Sequence, residues 1–111
     1  MQLQVNESDW KLFRKKLPGW QESHMEKLTQ EYAVILAGSG PASDKFWELE
    51  KRINEDKRHV GVVATMSRSK MYQNMMALFD EGVITLDDLD EFSDELKGRF
   101  AFLFKRNPEE S

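Results

Sequence analysis

Apolar residues recur every three or four positions through most of the chain, which is the spacing of one face of an α-helix. Five stretches show this pattern, and they predict helices at about residues 8–17, 18–37, 44–58, 66–81 and 86–104. Ser8 is placed to cap the first helix, and Pro18 separates it from the second because proline disfavours helical geometry in the preceding residue. We therefore expect residues 1–111 to form a single all-α domain, a compact bundle of about five helices.

The turn between the last two predicted helices carries the clearest local signals. Gly82 suits the left-handed backbone that follows many helices, and Thr85 with Asp88 three residues later has capping-box spacing. In the helix that follows, the apolar residues share an arc of about 120°, opposite the acidic residues. These apolar residues are Leu86, Leu89, Phe92, Leu96, Phe100, Leu103 and Phe104. The pattern predicts an antiparallel helical hairpin around Gly82.

The third predicted helix has only a narrow apolar stripe, made of Phe46, Leu49 and Ile53. Such a stripe indicates a peripheral and mostly solvated helix. Trp47 points away from the stripe, so it either covers a neighbouring helix or contacts a partner, and tryptophan is enriched at the centres of protein interfaces. Residues 60–63 follow this helix and predict an apolar loop, because four residues with no partner strand are short for a sheet.

Negative charge is concentrated in one short stretch, residues 80–95. The net charge is −4, and residues 80–95 hold eight acidic side chains and no basic one. Like charges four residues apart on a helix repel each other, so helix stability does not explain this pattern. It predicts a surface for a protein with a basic face, although a solvated helix face is the alternative. The candidate residues are Asp87, Asp88, Asp90, Glu91, Asp94 and Glu95.

Two other kinds of partner stay open at this point. Lys11, Arg14 and Lys15 fall together on one side of the first predicted helix, which offers a nucleic-acid-binding alternative. The acidic isoelectric point of about 5.2 makes nucleic acid the less favoured partner. A structural homodimer is the second alternative, since the six methionines suit an adaptable interface as well as a core.

Catalytic and cofactor signals are missing from the sequence. It has no cysteine, nucleotide-binding loop, nucleophile motif or metal-spaced histidine cluster. His24 falls on the apolar side of its helix and is interpreted as a core histidine, while His59 lies on a differently facing element. We therefore expect a protein without catalytic activity, cofactor or metal. The polar start and the absence of an apolar run of about 20 residues predict a cytoplasmic protein without membrane contact.

Two resemblances add to these inferences. The turn LFDEGVITLDDL, within residues 70–97, resembles the short helical hairpins of SHOCT-type bacterial modules. Over most of the chain, the stretches SDWKLFRKKLPGWQ, DKFWELEKRINEDKR and LFDEGVITLDDLDEFSDELK resemble small uncharacterised all-helical proteins of Gram-positive anaerobes and their mobile elements. Some of these carry a multidrug-transporter label, which the lack of a membrane-spanning run contradicts here.

The second resemblance implies a compact helical fold and an accessory or regulatory role, including that of a stoichiometric inhibitor of a host system. It supplies no catalytic residue. Combined with the charge pattern, it predicts a non-catalytic protein-binding module, a regulator or inhibitor, that docks through its acidic helical face.

Overall fold

A computed structural model describes residues 5–105 of the chain. The side chains of residues 102–105, including Leu103 and Phe104 of the predicted stripe, lie outside the described part. The α-helices are α1 (Glu7–Ala37), α2 (Ala42–Asp56), α3 (Met71–Asp80) and α4 (Asp94–Lys105). Short 3-10 helices span Arg68–Lys70 and Leu86–Leu89. Residues 5–105 contain no strand, so the all-α prediction is confirmed, but they form four α-helices instead of five.

The first helix continues through Pro18 for 31 residues, so the predicted division into helices 8–17 and 18–37 is wrong. Its start also differs, because Asn6 and not Ser8 is the cap. The side-chain oxygen of Asn6 accepts hydrogen bonds from the amides of Ser8 at 2.8 Å and Asp9 at 3.4 Å. Buried residues on both sides of Pro18 lie on one stripe, and their packing offsets the cost of the proline.

The turn after α3 has the geometry that the sequence predicts. Gly82 takes a φ of 76°, which a residue with a Cβ rarely adopts. The amide of Val83 donates to the carbonyl of Leu78 at 2.9 Å, and the amide of Gly82 donates to that of Phe79 at 3.0 Å. These two bonds form a Schellman motif. The Thr85 amide then donates to the Asp88 carboxylate at 2.8 Å, which confirms the capping-box prediction.

The element after this turn is not the continuous helix predicted at 86–104. The 3-10 helix ends at Leu89, and α4 begins only at Asp94. The break has a long-range cause, since Ser93 donates to the buried Asp9 of α1 through its amide at 2.9 Å and its hydroxyl at 2.6 Å. The Ser93 hydroxyl oxygen also accepts from the Leu96 amide at 3.2 Å, so it caps α4. The antiparallel direction of α3 and α4 stays a prediction.

The hydrophobic core joins the N-terminal part of α1 to α3, the second 3-10 helix and α4. Aromatic rings connect these elements: the ring centroids of Trp20 in α1 and Phe92, just before α4, are 6.3 Å apart, and those of Phe79 in α3 and Phe100 in α4 are 5.3 Å apart. The buried residues of this core are Trp10, Phe13, Leu17, Met71, Met75, Leu78, Ile84, Leu89, Phe92, Leu96 and Phe100. Each large side chain buried here contributes about 1.5–3 kcal/mol to folding.

Residues 57–67 connect α2 to the core as an irregular segment, which confirms the loop predicted at 60–63. The Glu81 carboxylate holds it, accepting hydrogen bonds from the amides of Val60 and Gly61, both at 2.9 Å. The Gln21 side chain donates to the Val60 carbonyl at 2.9 Å. The helix predicted from residue 66 begins later, at Met71, after the first 3-10 helix.

Residues 25–58, which we call the arm, comprise the C-terminal part of α1, the loop at residues 38–41, helix α2 and the two residues after it. Among the described residues, the core cluster named above contains none from the arm, where Leu28 is buried outside that cluster, and the only buried residue of α2 is Asp56. The predicted peripheral position of this helix is therefore confirmed. The molecule measures 53 × 34 × 25 Å with a radius of gyration of 17.0 Å. A compact domain of about 100 residues has a radius near 13 Å, so the compact shape predicted from the sequence is wrong.

Candidate functional site

The arm carries two large, exposed aromatic side chains that are adjacent in the sequence. Trp47 is 62% exposed, in keeping with its predicted position outside the apolar stripe. Phe46 was expected within that stripe, but it is 61% exposed. The two rings contact each other edge to face, with centroids 4.8 Å apart and planes at 79°. The structure thus adds Phe46 to the candidate surface that the sequence assigned to Trp47 alone.

A polar cluster holds α2 against α1. The Tyr32 hydroxyl donates to the buried Asp56 carboxylate at 2.5 Å. The Arg52 guanidinium lies 2.7 Å from Glu31 and 3.6 Å from Asp56, and it stacks over the Tyr32 ring at 5.5 Å from the centroid. Arg52 is therefore engaged within the arm. The cluster fixes the register of the two helices and so the position of Phe46 and Trp47.

The Tyr32 phenol provides a test of this cluster. Its pKa is raised to about 12, first because the hydroxyl is partly desolvated and second because it donates to the Asp56 carboxylate. Since an unfolded tyrosine titrates near pH 10, the group stabilises the fold below about pH 10, and this contribution is lost as the pH rises toward 12. In a Tyr72→Phe variant, ultraviolet titration should show a single late phenolate transition. Adding Asp56→Asn should lower the pKa of Tyr32. A transition near pH 10 in the Tyr72→Phe variant itself would contradict the Tyr32–Asp56 hydrogen bond.

An apolar cleft lies beside the cluster and is open to solvent on one side. Its volume is about 220 Å³. The lining comes from α1, α2 and the segment after α2: Met25, Leu28, Thr29, Tyr32, Ile53, Asp56, Lys57 and Val62. The sequence pattern did not predict this cleft, because it exists only where α1 meets α2 and the segment that follows α2.

The predicted acidic residues are accessible but do not share one helix face. Asp87, Asp90, Glu91, Asp94 and Glu95 are exposed and Asp88 is half-buried, spread over the 3-10 helix, the following turn and the start of α4. Three of them have partners. Asp88 accepts a hydrogen bond from the Thr85 amide, Glu91 lies 3.3 Å from Lys16, and Asp94 lies 3.6 Å from Lys97. Exposed pairs of this kind contribute about 0–1 kcal/mol, so they restrain these carboxylates only weakly.

The acidic residues and Trp47 do not form one surface. Glu91 pairs with Lys16 in the N-terminal half of α1, whereas Arg52 of α2 pairs with Glu31. Those two positions on α1 are about 22 Å apart at about 1.5 Å per residue. The candidate protein-binding residues therefore divide into an acidic surface near the core and an aromatic surface on the arm.

The predicted basic residues remain together. Lys11, Arg14 and Lys15 are exposed and line one shallow concave surface on α1. The Arg14 guanidinium lies 5.7 Å from the centroid of the Trp10 ring, which Arg68 also approaches at 5.6 Å. Within residues 5–105, no ion pair joins Lys11, Arg14 or Lys15 to another side chain.

The two histidines lie closer together than the sequence indicated. The ring centroids of His24 and His59 are 6.0 Å apart, so the prediction that they face different ways is wrong. His24 is buried, and its Nε2 has no hydrogen-bond partner in the described structure. Asp56 lies 4.0 Å from His59 Nδ1. Residues 5–105 contain no group of three or more side chains arranged to hold a metal ion.

None of the helices in the described part of the chain combines the length and apolar character needed to cross a membrane. The resemblances to SHOCT-type hairpins and to small helical proteins of Gram-positive anaerobes stay predictions. Comparison of the chain with protein-family models, curated protein sequences and solved structures finds no match.

Proposed function

We propose that this protein is a non-catalytic protein-binding module that acts in fixed stoichiometry with its partner, as a regulator or inhibitor would. The observation that carries the proposal is the exposed aromatic pair Phe46–Trp47 on an arm whose only buried apolar residue is Leu28. Large apolar side chains that stay in water without serving the core are typical of interaction sites. The polar cluster around Asp56 holds the two helices of the arm, so the surface is formed before a partner binds.

The acidic surface supports the same function for a second partner, one with a basic face. Asp87 and Asp90 are its most informative residues, because both are exposed and neither has an ion-pair partner within residues 5–105. The double change Asp87→Lys and Asp90→Lys should slow association with such a partner and weaken its salt dependence. Helical circular dichroism should stay unchanged. Binding that is unaffected by this reversal would make the acidic residues a solvated surface only.

Site-specific photo-crosslinking tests the proposal at both surfaces. A benzophenone side chain is placed at residue 47 or residue 87, and at exposed Ser23 as a control within the same chain. Crosslinking is carried out in native lysate with and without nuclease, and products are identified by mass spectrometry. We expect a discrete protein adduct, insensitive to nuclease, from position 47 or 87 and not from position 23. Equal products from all three positions would contradict a defined protein-binding surface.

Nucleic-acid binding is the second candidate, favoured by the clustering of Lys11, Arg14 and Lys15 on one concave surface. This function requires affinity for DNA or RNA that falls steeply with salt, because binding would release counterions from phosphates. The triple change of these residues to glutamate should then abolish binding. Affinity that is absent at low salt, or that survives the triple change, would exclude the basic surface as a nucleic-acid site.

A further inference from the structure

The arm presents an apolar projection and an apolar recess. The projection is the Phe46–Trp47 pair, whose rings contact each other at 4.8 Å between centroids and are mostly exposed. The recess is the cleft of about 220 Å³ between α1, α2 and Val62. An engineered cavity of about 150 Å³ in another protein accepts a benzene molecule, so this cleft has room for an aromatic side chain.

Phe46 faces the same side of α2 as the recess, whereas Trp47 leaves the helix about 100° away from Phe46. Phe46 and Ile53 are seven residues apart, and at 100° per residue their side chains leave the helix within about 20° of each other. Ile53 lines the cleft, so Phe46 lies about 10 Å farther along the same stripe. The Phe46 side chain thus cannot fill the cleft of its own chain, but a neighbouring molecule that packs along this stripe can reach it.

We infer that the partner of the arm is a second copy of this chain, with the Phe46 ring of each copy seated in the cleft of the other and Trp47 flanking it. This inference rests on the proposed function, since it names the partner of the aromatic surface. A two-fold axis between Phe46 and Ile53 makes both contacts at once, because residues exchange roles across an isologous interface. The two arms would then complete a four-helix arrangement and cover the exposed stripe of α2.

The charges of the arm favour a second copy over a strongly charged partner. Residues 25–58 contain seven acidic and six basic side chains, interspersed along both helices. A face with balanced charges can meet itself without net repulsion, whereas residues 80–95, with eight acids and no base, cannot. Since α2 is only about 22 Å long, the interface lies at the small end of specific interfaces, near 1,200 Å² in total. We therefore expect a micromolar dimer.

Sedimentation velocity of the full chain over the micromolar range tests the inference. The mass should rise with concentration from 13.0 kDa toward twice that value. The double variant Phe46→Ala and Trp47→Ala should weaken association at least about tenfold, the effect of losing about 1.4 kcal/mol. Leu86→Ala is the matched control, because Leu86 is also exposed and apolar but lies outside the arm. It should associate like the wild type.

A mixing experiment identifies the reciprocal contact itself. Thr29 lines the cleft and is exposed, so Thr29→Phe places a ring in the recess while keeping the projection. This variant and the Phe46→Ala/Trp47→Ala variant should each be monomeric alone. Mixed together they retain one projection and one free cleft, so they should form a heterodimer. Circular dichroism identical to the wild type checks that both variants fold.

Several outcomes would overturn the dimer. These are a wild-type monomer at all concentrations, undiminished association without Phe46 and Trp47, or no heterodimer in the mixture. A monomer that still forms a protein adduct from residue 47 in lysate would overturn the dimer and leave the proposed function standing. A dimer whose crosslinks at 47 and 87 capture no other protein would support the dimer and contradict a regulator that binds a different protein.

Discussion

Replacing Pro18 by alanine should raise the free energy of unfolding by about 2–3 kcal/mol. Pro18 lies inside α1 and is exposed to solvent. It lacks the amide that would donate to the Arg14 carbonyl four residues earlier, and its ring crowds that carbonyl. Alanine restores the hydrogen bond. The gain exceeds the stabilisation of about 0.4–1 kcal/mol that proline provides by restricting the unfolded chain.

Urea unfolding followed by circular dichroism, at one fixed protein concentration, measures this effect. Gly19→Ala should add about 1 kcal/mol, since no atom lies within 4 Å of the position its Cβ would take and alanine favours the helix. Glu22→Ala is the control, an exposed position in the same helix that should change stability by less than about 0.5 kcal/mol. If Pro18→Ala were neutral or destabilising, the proline would start a new helix, as local sequence rules predict.

Those local rules failed at Pro18 because packing over several turns outweighs the preference of one residue. The buried or half-buried residues Trp10, Phe13, Leu17, Trp20, His24 and Leu28 follow each other at intervals of three or four. The stripe therefore keeps the same phase before and after the proline, as one uninterrupted helix requires. This continuity is visible in the sequence and is the signal that would have predicted α1 correctly.

Of the segment that follows α3, the sequence predicts the first part correctly but not the last part. The Gly82 turn and the Thr85–Asp88 capping box could be predicted because every partner lies within a few residues. The start of α4 could not, because Ser93 depends on Asp9, which lies 84 residues earlier in the chain. Amphipathic periodicity alone extended the helix through residues 90–93, where tertiary hydrogen bonds interrupt it.

For the candidate surfaces too, features that depend on sequence spacing could be predicted, and features that depend on tertiary packing could not. The exposure of Trp47 and of all the acidic candidates except Asp88 was predicted from helical periodicity, which depends only on sequence spacing, although these acidic residues do not lie on one α-helix. The exposure of Phe46 and the cleft beside Ile53 depend on how α1, α2 and Val62 pack together. Periodicity assigned Phe46 to the apolar stripe of α2, but α1 is the main neighbour of α2 and does not cover all of that stripe.

Replacing Gly61 by alanine should lower the free energy of unfolding by about 1–3 kcal/mol, the range for overpacking a filled site. A Cβ at this position would lie 2.6 Å from His24 Cδ2 and 2.9 Å from Val83 Cγ2. His24 is 8% exposed and has little room to move aside. The backbone cannot retreat easily either, because the amides of Val60 and Gly61 both donate to the Glu81 carboxylate. The glycine is thus required for close approach and not for its φ angle, which is not positive.

A double-mutant cycle with His24→Ala isolates the contact responsible. Removing the imidazole opens the space that the new methyl group needs, so Gly61→Ala should cost about 1 kcal/mol less in the His24→Ala background. Gly98→Ala is the matched control of opposite sign: Gly98 lies within α4 with no atom within 4 Å of the added Cβ, and the change should stabilise the protein by about 1 kcal/mol. Equal costs of Gly61→Ala with and without His24 would show that the loop does not pack on this histidine. The segment after α2 would then be held to the core by its other contacts, which include hydrogen bonds to Glu81, Gln21 and Asn74, and its position beside the cleft would no longer depend on the close packing of α1.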